Sequence, residues 1–194
     1  MKLYDHPASG NGYKVRLFLA LAGIAAERVT VDVAARAHKT PDFLALNPRG
    51  QIPVLVDGET VLFDSQAILV YLAARHAPAW LPADPRGLGE VTQWLAFAAK
   101  EIAVGLQAAR LHFLIGAPAD IAAAQAEARR ALAILETWLS ARDWLVGDRL
   151  TVADIACFPY VALAPEGRVD LDAYPSVRRW IGRIEALPAF VPMR

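Results

Sequence analysis

The stretch from Asn47 to Ser65, NPRGQIPVLVDGETVLFDS, constrains the fold more than any other part of the chain. Asn-Pro-Arg-Gly is a turn signal, and Ile52 stands before Pro53 at the mouth of a strand pattern, Val54-Leu55-Val56. Asp57-Gly58 is a strong short-hairpin signal, and Thr60 to Phe63 reads as the returning strand. Asp64-Ser65 precedes an apolar-periodic run, the place of a helix N-cap. A chain written this way commits to an antiparallel hairpin whose second strand feeds straight into a helix.

Two features of the stretch point to a ligand. An X-Pro bond adopts the cis form at modest cost, which turns the backbone of the preceding residue outward. The N–H and C=O of Ile52 would then be available to an extended, peptide-like molecule, as to an added strand. Ser65 and the first amides of its helix suit a carboxylate, because donors and helix dipole both favour an anion there. Taken singly, each is also what an ordinary proline turn or an ordinary cap looks like. Their order is more telling.

The order N-P-x-G-x-(I/V)-P-x-L, a D-G hairpin, then (E/D)-S-x-A-I resembles the glutathione-binding half of the glutathione S-transferase superfamily. The resemblance implies that Ile52, before a cis Pro53, pairs with the cysteinyl part of glutathione, and that Asp64 and Ser65 hold its γ-glutamyl end, with Gln51 beside them. The family more often has Glu than Asp at position 64, so the amine contact is the part that differs.

The chain before that stretch fits the same picture. Lys2 to Asp5 is a short strand, His6 to Gly12 a loop rich in helix breakers, and Tyr13 to Gly23 a helix. Val15, Phe18, Leu19 and Ala22 mark its buried stripe. Arg28 to Val33 reads as a second strand, Pro41 to Leu46 as a short helix or turn, and Gln66 to His76 as a helix. The βαβ–ββα order matches the thioredoxin-like domain that the resemblance implies.

Ser9 follows the first strand and precedes a helix, so its hydroxyl shares an electropositive helix start with any thiol bound there. A free thiol has a pKa near ~8.5, and a donor plus a helix N-terminus brings it to roughly 6–7. The segment S-G-N-x-Y-K-V-R-L resembles the Ser-type active-site loop of bacterial members of the family. That implies Ser9 as hydrogen-bond donor to the glutathione sulfur, Asn11 as a second donor or substitute, and Tyr4 as a third-ranked rival. His38-Lys39 lies in a polar loop where theta- and phi-type members carry a basic residue for the glycyl carboxylate. Lys39 is the first candidate and His38 the second, against a solvated loop charge.

Pro78, Pro82 and Pro85 fall close together and will not continue a helix. The expected organisation is a thioredoxin-like glutathione-binding domain over 1–78, a linker over 79–85 and an all-α domain over 86–194. The helical segments read as Arg86 to Leu114, Ala119 to Ala141, Val152 to Ala164 and Pro175 to Leu187. Thr151-x-x-Asp154 is a capping box, with Leu150 and Ile155 placed as its hydrophobic staple. The resemblance puts the wall of a second-substrate pocket, between the two halves, on the first long helix. Gln107, Arg110 and Phe113 are its candidates, although Arg110 also reads as an exposed helix arginine. Cys157 reads as a small core residue.

Composition narrows the function classes. Acidic and basic residues balance at 20 each, so net charge calls for neither nucleic acid nor an anionic membrane. The hydrophobic content of 56% is spread over amphipathic segments, and no apolar run reaches the ~18 residues of a membrane span. The first residues run straight into a strand pattern, so no secretory leader is expected. One cysteine fits a reducing cytoplasm, and the four histidines have no metal spacing. The function the resemblance implies is a glutathione transferase acting on a small hydrophobic electrophile, as a homodimer. The alternatives are other glutathione-dependent chemistry (isomerisation, dehalogenation, ether cleavage, disulfide reduction) or a non-catalytic binding module.

Overall fold

The computed structural model describes residues 1–193. Its contacts divide the chain into two compact units, one built from Met1–Pro78 together with the chain from Pro188 onward, the other from Ala79–Leu187.

The first unit is a four-stranded mixed sheet with helices on it, a thioredoxin-like arrangement. Strands β1 (Lys2–Asp5), β2 (Glu27–Thr30), β3 (Val54–Asp57) and β4 (Thr60–Phe63) lie in the order β2-β1-β3-β4. β2 runs parallel to β1, β3 antiparallel to it, and β4 returns antiparallel to β3. Helix α1 (Gly10–Leu21) makes the crossover from β1 to β2, the connection that a parallel pair requires. Helices α2 (Pro41–Leu46) and α3 (Ser65–His76) complete the unit.

Strand periodicity sorts the side chains into two cores. Val31, Phe43 and Val54 form one cluster, with Tyr4, Ile52 and Phe63 packed against it. Leu3 and Leu55 are cross-strand partners one residue out of phase with Tyr4 and Val54, so they belong to the opposite face. α1 and α3 pack on each other and bury Leu17, Phe18, Ile68, Leu69 and Leu72 completely.

Three boundaries differ from the sequence expectation. Helix α1 begins at Gly10 and takes in Gly10-Asn11-Gly12, which read as loop, because the Ser9 side chain caps it by accepting from the Gly12 amide. The strand expected over Arg28 to Val33 runs instead over Glu27–Thr30. The tail, expected with the helical domain over 86–194, joins the first unit from Pro188, where the buried Tyr13 hydroxyl donates to the Val191 carbonyl at 2.7 Å.

The second unit is helical: α4 (Pro85–Ala99), α5 (Ala108–Ile115), α6 (Ile121–Leu139), α7 (Val152–Ala162) and α8 (Pro175–Glu185). The single long helix expected over Arg86 to Leu114 is interrupted. α4 ends at Lys100, and a π-helical turn, Ala103–Gln107, precedes α5. Gly105 in that turn lies so close to α6 that a Cβ there would stand 2.5 Å from the Ala128 nitrogen. The absence of a side chain at Gly105 is what leaves room for α6. α6 buries Ala124, Ala128, Ala131, Leu132, Leu135 and Leu139, one continuous helical stripe.

The capping box at α7 is present, and its acid does more than cap. Asp154 is fully buried and accepts from the Thr151 amide, the Leu145 amide, the Trp180 indole and the Thr151 hydroxyl, at 2.9–3.2 Å. Burial pushes its carboxyl above the ordinary range, and these four donated bonds work against that rise. Cys157 is buried in α7, as expected of a core residue. Among the described residues, no helix is long and apolar enough to cross a membrane.

Candidate active site

Strand register brings the sequence candidates of the first unit to one end of the sheet. β1 pairs with β3 so that Tyr4 faces Val54, and β3 pairs with β4 so that Val54 faces Phe63. The loop that leaves β1, the Ile52–Pro53 dipeptide that enters β3, and the Asp64-Ser65 pair that leaves β4 therefore share an edge. Ser9, Ile52, Pro53, Asp64 and Ser65 all stand within a few residues of it. The Ile52–Pro53 peptide bond is cis.

Ser9 is the N-cap of α1, in an extended conformation with φ −77° and ψ 116°. Its Oγ accepts from the Gly12 amide at 3.0 Å, and its own amide donates to the His6 carbonyl at 2.9 Å. A hydroxyl whose oxygen is engaged as acceptor still has its hydrogen to donate. Ser9 thus presents an O–H at a helix start. Tyr4 makes an edge-to-face contact with Phe43, with ring centroids 6.3 Å apart, and packs against the core cluster as a strand side chain does.

Asn11 lies in the first turn of α1, and its Oδ1 is 3.5 Å from the Ser65 hydroxyl, whose one hydrogen is given to Gln66 Oε1 at 2.8 Å. This pair links the Ser9 helix to the start of α3. The cap of α3 is Asp64 rather than Ser65. Its carboxylate accepts from the Gln66 amide at 2.9 Å, and Ser65 is the first helical residue. Asp64 holds φ at 76°, a left-handed value that a non-glycine residue adopts only at a cost of order 1–3 kcal/mol. Its exposed carboxylate also lies 3.8 Å from Arg49.

The turn before Ile52 is held from inside. Asn47, almost fully buried, donates from Nδ2 to the Gln51 carbonyl at 2.7 Å and accepts from the Arg49 amide at 3.0 Å. Lys39 adds its ammonium, which donates to the carbonyls of Gly50 at 2.7 Å and Arg49 at 3.2 Å. Gly50 has φ +55°, and a Cβ there would meet the Lys39 ammonium at 2.8 Å. Lys39 is therefore tied to the turn beside Gln51, not a loose loop charge. Burial, then the charges of Lys39 and Arg36, hold the His38 imidazole below its ordinary pKa.

The candidates of the second unit are placed less openly. Arg110 is buried rather than exposed, with Nε donating to Glu166 at 2.6 Å. Phe113 lies under the Arg168 guanidinium at 4.1 Å, and Gln107 closes the π turn. No group of acidic, histidine or cysteine side chains able to hold a metal occurs among the described residues.

Sequence reasoning passed over Asp5 and Arg16. Both are buried in side chain, and Arg16 Nη1 donates to the Asp5 carboxylate. The pairing spans eleven residues and leaves no periodic mark in the sequence.

The first 74 residues match the glutathione S-transferase N-terminal domain, and residues 97–188 match the C-terminal domain of the same family. The chain belongs to the glutathione S-transferase superfamily. It is 36% identical to glutathione S-transferase 3 of Zea mays, an alignment that covers 98% of this chain and 91% of that protein. A disulfide-bond oxidoreductase of Escherichia coli, YfcG, is 35% identical, with 96% and 91% covered. The crystal structure of a Pseudomonas fluorescens glutathione S-transferase superposes with a TM-score of 0.93 at 36% identity, covering 99% and 98% of the two chains. Members of this family are enzymes that use glutathione, and glutathione is the co-substrate of this chain.

Proposed function

We propose that the protein is a glutathione transferase that stabilises the glutathione thiolate at Ser9 and directs it at a small hydrophobic electrophile. In this reading the Ile52 main chain pairs with the cysteinyl part of glutathione, Asp64 and Ser65 receive the γ-glutamyl end, and Lys39 and Gln51 lie toward the glycyl end. The observation that supports it is the state of Ser9, whose oxygen accepts from Gly12 at a helix N-terminus while its hydrogen remains to be given. A sulfur brought there gains a donor and the helix field only when it is ionised, which is preferential stabilisation of the reacting form. The protein does not attack the substrate itself; it supplies a nucleophile already ionised and held in place. Asn11, joined to Ser65, is the proposed second polar contact at the sulfur.

The test is Ser9→Ala, assayed for glutathione affinity and for turnover with a generic aryl halide. Affinity is expected to stay within about threefold while turnover falls by roughly 10²-fold, the usual cost of losing one such donor. Turnover equal to that of the parent protein removes Ser9 from the mechanism.

The oxidoreductase relative motivates a second reading, glutathione-dependent disulfide reduction. Cys157, the chain's single cysteine, is buried in α7, so such chemistry would run through thiols of glutathione rather than of the protein. A panel of electrophiles and disulfides, run with and without glutathione, separates the two readings. Gln107 and Phe113 are the proposed contacts of the second substrate, while Arg110 is occupied by Glu166. The proposed working form is a cytoplasmic homodimer, on the family's habit and the lone cysteine. Sedimentation as a monomer at assay concentration would remove the dimer from the account.

A further inference from the structure

We propose that Arg16, neutralised by Asp5, is a positioning residue that fixes Ser9 for thiolate stabilisation. The inference rests on the reading of Ser9 given above. Arg16 stands in the second turn of α1 and folds its guanidinium back over the loop that joins β1 to the helix. Nη1 donates to the Asp5 carboxylate and to the His6 carbonyl at 3.3 Å, and Nη2 donates to the Pro7 carbonyl at 2.9 Å. One planar fork therefore grips three consecutive residues. The His6 carbonyl that it holds is the same one that receives the Ser9 amide at 2.9 Å. Ser9 hangs from a carbonyl whose other donor is Arg16.

The far side of the cluster is fitted as closely. A Cβ on Gly12 would lie 1.6 Å from Asp5 Oδ1, so the carboxylate occupies the space that any larger residue would need. Gly12 is also the residue whose amide caps onto Ser9 Oγ. Asp5 and Arg16 thus constrain both hydrogen bonds that orient Ser9: the one its amide makes and the one its oxygen receives.

A buried ion pair is a poor choice for stability alone, because both charges must be taken out of water before they attract each other. The Asp5 and Arg16 side chains are 2% and 9% exposed. Arginine at this place also supplies directed donors to two loop carbonyls, which a hydrophobic pair cannot do. Lysine retains the charge but concentrates its donors on one atom and loses the fork.

The test titrates the thiol of bound glutathione, followed by thiolate ultraviolet absorbance, in the parent protein, Arg16→Lys, Ser9→Ala and the double variant. Arg16→Lys is expected to bind glutathione within about threefold of the parent yet to stabilise the thiolate roughly tenfold less, a loss comparable to weakening one charge-assisted hydrogen bond. Because the effect passes through Ser9, the double variant is expected to lose no more than Ser9→Ala alone. The Ser9 amide is also expected to exchange its hydrogen faster in Arg16→Lys. Should that variant not fold, Asp5→Asn, which keeps the shape and removes the charge, is expected to give the same pattern. A parent-like titration in the folded variant, or losses that multiply in the double variant, overturns the inference while leaving the Ser9 reading in place. If the parent protein itself leaves the bound thiol titrating as it does in water, the Ser9 reading fails and the inference with it.

Discussion

Helix starts are treated differently in the two units. Two starts in the helical unit are braced by buried or partly buried carboxylates: the third residue of α7, Asp154, is fully buried and receives four donated bonds. α8 begins against Glu136 of α6, whose carboxylate accepts from the amides of Ser176 and Val177 at 2.9–3.0 Å. In the thioredoxin-like unit α1 and α3 begin with one side-chain capping bond each, from the Gly12 amide to Ser9 and from the Gln66 amide to Asp64, and both caps retain solvent access. The same physics serves two ends. The carboxylates at the starts of α7 and α8 tie distant segments together, while the lightly capped starts of α1 and α3 are the ones the proposed function assigns to an anion.

The contrast predicts that mutation at the closed starts costs stability and mutation at the open ones costs chemistry. The largest effect is expected at Asp154→Ala, which strands four buried donors and should lower unfolding free energy by about 3–5 kcal/mol in urea melts. A loss below about 1 kcal/mol would mean that the network is dispensable. Ser9→Ala should do the reverse, reducing turnover by roughly 10²-fold with a melting temperature lowered only by the ~0.5–2 kcal/mol of a lost helix cap. A large drop in that temperature would erase the distinction between the units.

Glu136→Gln should cost about 1 kcal/mol, the scale of a helix cap. Its pH dependence sharpens the point. Desolvation raises the Glu136 carboxyl, but bonds from Val177 and Ser176 outweigh it and leave the pKa below the ordinary value. A depressed folded pKa gives stability that is complete above the unfolded pKa and lost as pH falls through the folded one. The parent should therefore lose stability on acidification more steeply than Glu136→Gln, and parallel curves would show that the carboxylate is not caught by α8. The smallest effect is expected at Lys39→Met, which frees the Gly50 turn and removes the contact proposed toward the glycyl end. Glutathione affinity should weaken by about 0–1 kcal/mol at most, with activity at saturation unchanged.

How much of this was legible in the sequence follows from the range of each interaction. The β3–β4 hairpin and the α3 cap are local, set by Asp57-Gly58 and Asp64, and were readable to within a residue. The α7 capping box is equally local. The start of α1 was misread because Gly10, Asn11 and Gly12 are breakers by propensity, and the bond from Gly12 to Ser9 that overrides them is not visible in composition. Glu136 caps a helix forty residues away, Arg16 reaches back eleven to Asp5, and Tyr13 holds a tail at Val191. Such contacts depend on where the sheet and helices bring distant residues, and no periodicity announces them. The break at Lys100 lies in an Ala-rich run of even helical propensity, where Gly105 signals close packing only once its neighbour Ala128 is known.

The central claim is that the open helix start at Ser9 makes a bound thiol easier to ionise than it is in water. Titrating glutathione bound to the parent protein, by thiolate absorbance against pH, tests it most directly. The account predicts a midpoint well below the ~8.5 of a free thiol. A midpoint at the solution value, in protein that calorimetry shows to be saturated with glutathione, would contradict it.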